Sequence, residues 1–358
     1  MSRSAASAFR RLNRGLDHAT GGTLLFLLVF APWAFGSTAV WSAWTTTVLA
    51  YGVGLLALSR WIAGRLTGFE DPRWDVPGRG SSVLWLLGAG TVVLLAYVAL
   101  SLFNARARVL WTADGFEFDY REIRSWLPTT YDLDATRKAL IRWTGLALAF
   151  FGARSWLLGM NRSERHRAED GRLAREESRI PGRLKALLWT LALSTAVMSV
   201  VGILHRLDGD PQLLWLRKTR MIFARDMFGP FPYKANGAQY LNLIWPLVLG
   251  FWWILRQETK RTLGPTLRVG GGPHVLLLPC AGLILAGAIV ASSRGGVMIA
   301  VAELVLAIAI LAVAGRNQRG TGWFLGGTSF LALLMGWILA GSYLQTRFAT
   351  VLSDTSLS

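Results

Sequence analysis

Apolar positions along the chain gather into long runs, each close to the roughly 20 residues a helix needs to cross a ~30 Å hydrocarbon slab, with polar segments between them. The runs predict nine helices, at about 22–38, 40–59, 82–103, 138–159, 184–204, 237–255, 274–292, 296–314 and 322–342. They are too long and continuous for barrel strands, and a helix satisfies every backbone group within its own segment. The predicted fold class is therefore all-α: a polytopic transmembrane helix bundle, with residues 1–21 as a tail and 22–358 as a single transmembrane domain.

Lys and Arg concentrate in alternate inter-helix segments. The N-terminus, 60–80, 160–185, 256–273 and 315–321 together hold 22, against 14 in the complementary set. The positive-inside rule makes the first set cytoplasmic, which predicts a cytoplasmic N-terminus, a cytoplasmic loop at 160–183 and periplasmic loops at 104–137 and 205–236. The two outer loops differ. Segment 104–137 balances its cations with Asp114, Glu117, Asp119, Glu122, Asp132 and Asp134, whereas 205–236 sets Arg206, Arg217, Lys218, Arg220, Arg225 and Lys234 against Asp208, Asp210 and Asp226. An excess of cations on the disfavoured side fits an anionic partner at the outer surface, and equally a solvated face.

Composition changes this picture little. Net charge is +17, but it sits between apolar runs rather than on a basic folded face, which argues against nucleic acid. Cys280 is the single cysteine, inside an apolar run, so no intramolecular disulfide exists. Of the four histidines, His205 is on the outer side, without a Cys, His or carboxylate at metal-ligand spacing. No Walker loop, nucleophile elbow or dinucleotide fingerprint is present; neither a cofactor nor a metal is expected.

Two segments hold candidate chemistry. The first is Ser293-Arg294-Gly295-Gly296, between apolar runs at 274–292 and 297–314. A helix starting at Gly295 or Gly296, with Ser292 or Ser293 as N-cap, would aim unpaired N–H groups and the positive end of its dipole at the outer interface. Gly295 and Gly296 would permit close approach, and Arg294 would grip phosphate oxygens in bidentate fashion. A tight interfacial turn whose arginine snorkels to lipid headgroups fits the same residues. The second segment runs from Phe228 to Leu241 and reads Phe-Gly-Pro-Phe-Pro-Tyr-Lys-Ala-Asn-Gly-Ala-Gln-Tyr-Leu. Its prolines fix the approach to the sixth helix, and Asn236, Gln239 and Tyr240 place hydrogen-bonding groups at its mouth, either as a hydroxyl-binding site or as a capped helix start.

Taken together, these segments resemble the O-antigen ligase and polymerase superfamily, the Wzy_C-type membrane glycosyltransferases. The likeness rests on Gly229 to Leu241 with Pro246 following, on Ser293-Arg294-Gly295-Gly296, and on Val201-Gly202-Ile203-Leu204-His205 followed by Leu214-Trp215-Leu216, and covers about residues 80–358. The stretch Lys234-Ala235-Asn236-Gly237 departs from the family pattern in lacking its second asparagine.

The resemblance implies a multi-pass protein of the bacterial inner membrane. Such a protein transfers a glycan, without a metal and with inversion, from undecaprenyl pyrophosphate to a periplasmic acceptor, either lipid A-core or a growing polysaccharide. It implies that Arg294 is catalytic, holding the pyrophosphate as leaving group. Candidate substrate contacts are Ser293, Gly295, Gly296, Lys234, Asn236, Gln239, Tyr240, Arg217, Arg220 and Arg225, with Lys218 beside them. It also implies, beyond Ser358, a large periplasmic loop with a second arginine and a histidine. The alternatives are a repeat-unit polymerase, a transporter for an anionic lipid, or a scaffold without chemistry.

Overall fold

The computed structural model describes residues 3–67, 80–112, 115–170, 180–219, 226–263, 272–291 and 293–314. The described chain is mostly helical. Its elements in order are α1 (Arg3–Trp33), a 3-10 turn (Phe35–Ser37), α2 (Val40–Thr67), α3 (Gly80–Phe103), β1 (Ala107–Thr112), β2 (Gly115–Tyr120), α4 (Leu133–Leu157), α5 (Arg162–Glu169) and α6 (Gly182–Asp208). Then follow β3 (Gln212–Leu213), β4 (Arg217–Lys218), α7 (Lys234–Leu263), a second 3-10 turn (Pro273–Leu276), α8 (Leu277–Val290) and α9 (Arg294–Ala314).

Among the described residues, five helical segments are long and apolar enough to cross a membrane: Val40–Leu66, Ser82–Phe103, Gly182–Asp208, Lys234–Lys260 and Pro273–Val290. The chain is a membrane protein by that measure. α1, α4 and α9 coincide with three further predicted runs but lie outside this set. α1 carries Asp17, α4 carries Arg142 and Arg154, and α9 is apolar apart from Arg294 and Glu303. The ninth predicted helix, 322–342, falls outside the described residues, as do Arg220 and Arg225.

Three features were not part of the expectation. Helix α1 takes in residues from Arg3 onward, so the segment before residue 22 is helical. The loop after α3 folds into an antiparallel hairpin, β1 against β2, with Thr112 opposite Gly115 and Ala107 opposite Tyr120. The chain also divides into two compact units: residues 1–27 with 44–169, and residues 28–43 with 170–358.

In the first unit, glycines let helix backbones approach closely. A Cβ at Gly54 would lie 2.5 Å from Leu148 Cβ, and one at Gly152 2.9 Å from the Val53 carbonyl, so α2 and α4 touch where neither has a side chain to spare. Asp17 of α1 and Arg60 of α2 form a buried ion pair, each neutralising a charge whose burial would otherwise be costly. Asn104 closes the loop around the hairpin, donating to the Arg124 carbonyl (2.9 Å) and accepting from its N–H (2.8 Å). Helix α4 starts at a side-chain cap: Asp132 Oδ1 accepts from the N–H groups of Asp134 (2.9 Å) and Ala135 (3.1 Å).

The second unit is built around α6, α7, α8 and α9, whose contacts alternate in direction. Lys185 meets Glu258 and Thr195 meets Tyr240, so α6 and α7 are antiparallel. Gly287 of α8 lies against Ser199 of α6 and Leu241 of α7. Ala238 meets Gly296 and Trp245 meets Glu303, so α7 and α9 run parallel. The core where they meet includes Phe228, Leu241, Trp245, Phe251, Leu277, Ile284 and Val290. One end of the bundle consequently carries the end of α6, the starts of α7 and α9, and the loops between.

Candidate functional site

The α8–α9 reversal lies at that end. Helix α8 closes at Ala291, whose N–H donates to the Gly287 carbonyl (2.9 Å). Ser293 then stands as N-cap of α9. Its carbonyl accepts from Val297 N–H (2.8 Å) and its Oγ lies 3.5 Å from Gly296 N. The helix begins at Arg294, one residue before the range expected from sequence, so Arg294 itself belongs to the first turn, where it is half-buried.

The two glycines separate in role. Gly295 is exposed, with nothing within 4 Å of where a Cβ would sit, so its backbone is open to a ligand. Gly296 is buried, and a Cβ there would lie 2.5 Å from Ala238 Cβ. Its lack of a side chain serves the approach of α9 to α7 rather than of a ligand.

Behind this turn stands Asn242 of α7, 3% exposed, whose Nδ2 donates to the Gly296 carbonyl (2.7 Å). Its Oδ1 is buried with no hydrogen-bond partner among the described residues. Pro246, four residues on, has no N–H for the Asn242 carbonyl, so the helix ladder is interrupted at the same residue. Asn242 was not among the residues expected from sequence, although its spacing from Ala238 puts both on one face of α7. Glu303 was also passed over, as part of an apolar run. Its Oε2 accepts from Trp245 Nε1 (2.9 Å), a polar tie between two helices below the turn.

The segment before α7 makes a tight reversal. Phe228 and Phe231 exchange backbone hydrogen bonds (3.1 and 2.9 Å) around Gly229 and Pro230, and Gly229 has φ of 52°, which only glycine adopts freely. The Phe228 ring seats on Gly202 of α6, where a Cβ would be 2.4 Å away, and Gly237 backs onto both phenylalanines. Prolines and glycines thus fix how the chain enters α7, as the sequence suggested. The helix begins at Lys234, so Asn236 lies within its first turn and is not its cap.

The other expected residues scatter. Lys234 Nζ is 3.1 Å from Asp226 Oδ1, in an ion pair. Asn236 and Gln239 are exposed on α7. The Tyr240 ring lies 5.7 Å from that of Phe231, and its hydroxyl meets Thr195 Oγ1 at 3.2 Å. Arg217, exposed on β4, holds its guanidinium 5.5 Å from the Phe35 ring, and Lys218 beside it is exposed too. His205 is fully buried: its Nε2 meets the Gln212 carbonyl at 2.9 Å and its ring packs edge-on to Trp215. Among the described residues no group of three or more His, Cys, Asp or Glu side chains is placed to hold a metal. Ser293, Arg294, Gly295 and Gly296 therefore form one local group with Ala238 and Asn242.

No protein-family model matches the chain, and no curated protein or solved structure matches it either.

Proposed function

We propose that the protein is a membrane glycosyltransferase of the O-antigen ligase type, with the first turn of α9 as its diphosphate site. The observation that carries this reading is the convergence at that turn. A capped helix start, a first-turn arginine and an open glycine stand together, beside a buried asparagine with an unused acceptor. Amide N–H groups, helix dipole and guanidinium all favour an anion there. The Asn242 Oδ1 fits a hydroxyl donor, such as a sugar supplies.

In this reading the protein has nine spans, a cytoplasmic N-terminus and a place in the inner membrane, with α7 and α9 both entering from the periplasmic side. An acceptor hydroxyl forms a bond to the sugar C1 and gives up its proton to solvent. The bond from C1 to the diphosphate breaks with inversion, and undecaprenyl diphosphate leaves with the electron pair. Arg294 stabilises the charge that grows on the leaving oxygen, which accelerates transfer rather than merely tightening binding. The acceptor is lipid A-core, or a growing polysaccharide if the protein is a polymerase.

The test is glycan transfer from an undecaprenyl-diphosphate-linked donor in proteoliposomes. Arg294→Ala is expected to slow transfer by about 10²-fold or more, and Arg294→Lys, which keeps charge without the planar fork, to recover part of it. Unchanged transfer in Arg294→Ala would exclude the reading. A carboxylate inside the otherwise apolar α9, Glu303, favours a second reading as a transporter for an anionic lipid. Under that reading Glu303→Gln stops lipid movement, whereas ligase chemistry survives it.

A further inference from the structure

A cavity of about 600 Å³ opens in the first unit, between the β1–β2 hairpin and the start of α4. It is of the size that small ligands occupy. One wall is aromatic: Phe116 and Phe118, two residues apart on β2 and so on one face of the hairpin, set their rings 5.5 Å apart at 77°. Phe116 remains 59% exposed.

The rest of the wall is a chain of fixed charges. Asp134 pairs with Arg108 Nε (3.3 Å) and Arg137 Nη2 (3.2 Å), which holds both guanidinium forks while the other N–H groups of each stay available. Asp132 uses Oδ1 on the helix cap, leaving Oδ2 as an acceptor. Lys138 also lines the cavity and has no ion-pair partner among the described residues.

We propose that this cavity is a carbohydrate site that takes a sugar ring bearing a carboxylate. A sugar ring has an apolar C–H face, which suits the two phenylalanines, and a rim of hydroxyls that both donate and accept. The wall offers donors and acceptors side by side. Three cations against two carboxylates leave a single positive charge, matched by one carboxylate on the ligand. A phosphate dianion would instead meet Asp132 and Asp134, and a neutral sugar would leave Lys138 without a counter-charge. The site is independent of the reading of Arg294, which belongs to the other unit.

Calorimetric titration of the purified full chain in detergent, with a glucuronate-containing tetrasaccharide and with maltotetraose as the neutral probe, tests the proposal. The acidic probe is expected to bind about tenfold more tightly than the neutral one, a preference that Lys138→Gln removes. Phe118→Ala is expected to weaken both by about tenfold, and Phe118→Trp to retain binding. Arg294→Ala is expected to leave all of this unchanged, which separates failure here from failure of the transferase reading. Lys138 is exposed, so its variant carries the test even if Phe118→Ala fails to fold. Three results would overturn the proposal: no binding of either saccharide, a preference for the acidic probe that survives Lys138→Gln, or occupancy by phosphatidylglycerol bicelles in place of sugar.

Discussion

Helices α3 and α8 are nearly equal in hydropathy and opposite in environment. The most apolar 18 residues of α3 have mean hydropathy 2.3 and none is buried within the protein, whereas those of the α8 segment have 2.1 and 61% are buried. Hydropathy reports only that a segment leaves water; it is silent on whether lipid or protein receives it. Small residues do not settle the matter either. Gly88 and Gly90 of α3 have nothing within 4 Å of a Cβ position, while Gly287 of α8 has Ser199 at 3.0 Å and Leu241 at 3.1 Å. The difference lies in what the rest of the chain brings alongside.

Paired tryptophans give the largest contrast. Trp245, 2% exposed and bonded to Glu303, should cost about 3–5 kcal/mol when replaced by alanine. Trp85 on α3 is 78% exposed, and Trp85→Ala should stay within about 0.5 kcal/mol. Thermal unfolding in one detergent compares them, and similar shifts would mean that α3 is covered in the assembled protein.

A smaller effect is expected at the paired glycines. Gly287→Leu forces a side chain into Ser199 and Leu241, for a loss of about 1–3 kcal/mol. Gly88→Leu meets open space and should be neutral by the same assay. A destabilising Gly88→Leu would place another helix against α3.

The smallest effect extends the contrast to the hairpin, where polar contacts are exposed. Tyr131 and Tyr120 hydroxyls lie 3.0 Å apart, and this hydrogen bond holds the Tyr131 phenol above the ordinary tyrosine range. A raised folded value means that the contribution is complete below the unfolded value of about 10 and fades as pH rises through the folded one. Phenolate absorbance should show a late-titrating component in the native protein, and Tyr120→Phe should diminish it by one tyrosine. A late component left unchanged in Tyr120→Phe would assign it elsewhere.

Much of the fold was legible because hydropathy is a local property. Eight of the nine predicted apolar runs coincide with described helices, and Ser293 lies where a cap was expected. The hairpin at 107–120 was not legible, since its aromatic alternation is short and sits among charges. At the candidate site, Ser293 to Gly296 could be read as a helix start from the sequence alone. Asn242 could not, because its role comes from a carbonyl on a helix 54 residues away in sequence.

By itself the sequence determined that this chain has helices apolar enough to cross a membrane, where most of them lie, and which short segments hold unusual polar chemistry. Each of those follows from side-chain transfer energies and helix-end geometry within a single stretch of chain. The tertiary structure alone decided that Gly296 serves packing while Gly295 stays open, that Lys234 is occupied by Asp226, and that α8 is enclosed while α3 is not. Contacts between distant residues depend on which helix faces meet, and apolar faces of equal hydropathy carry no label of their partner.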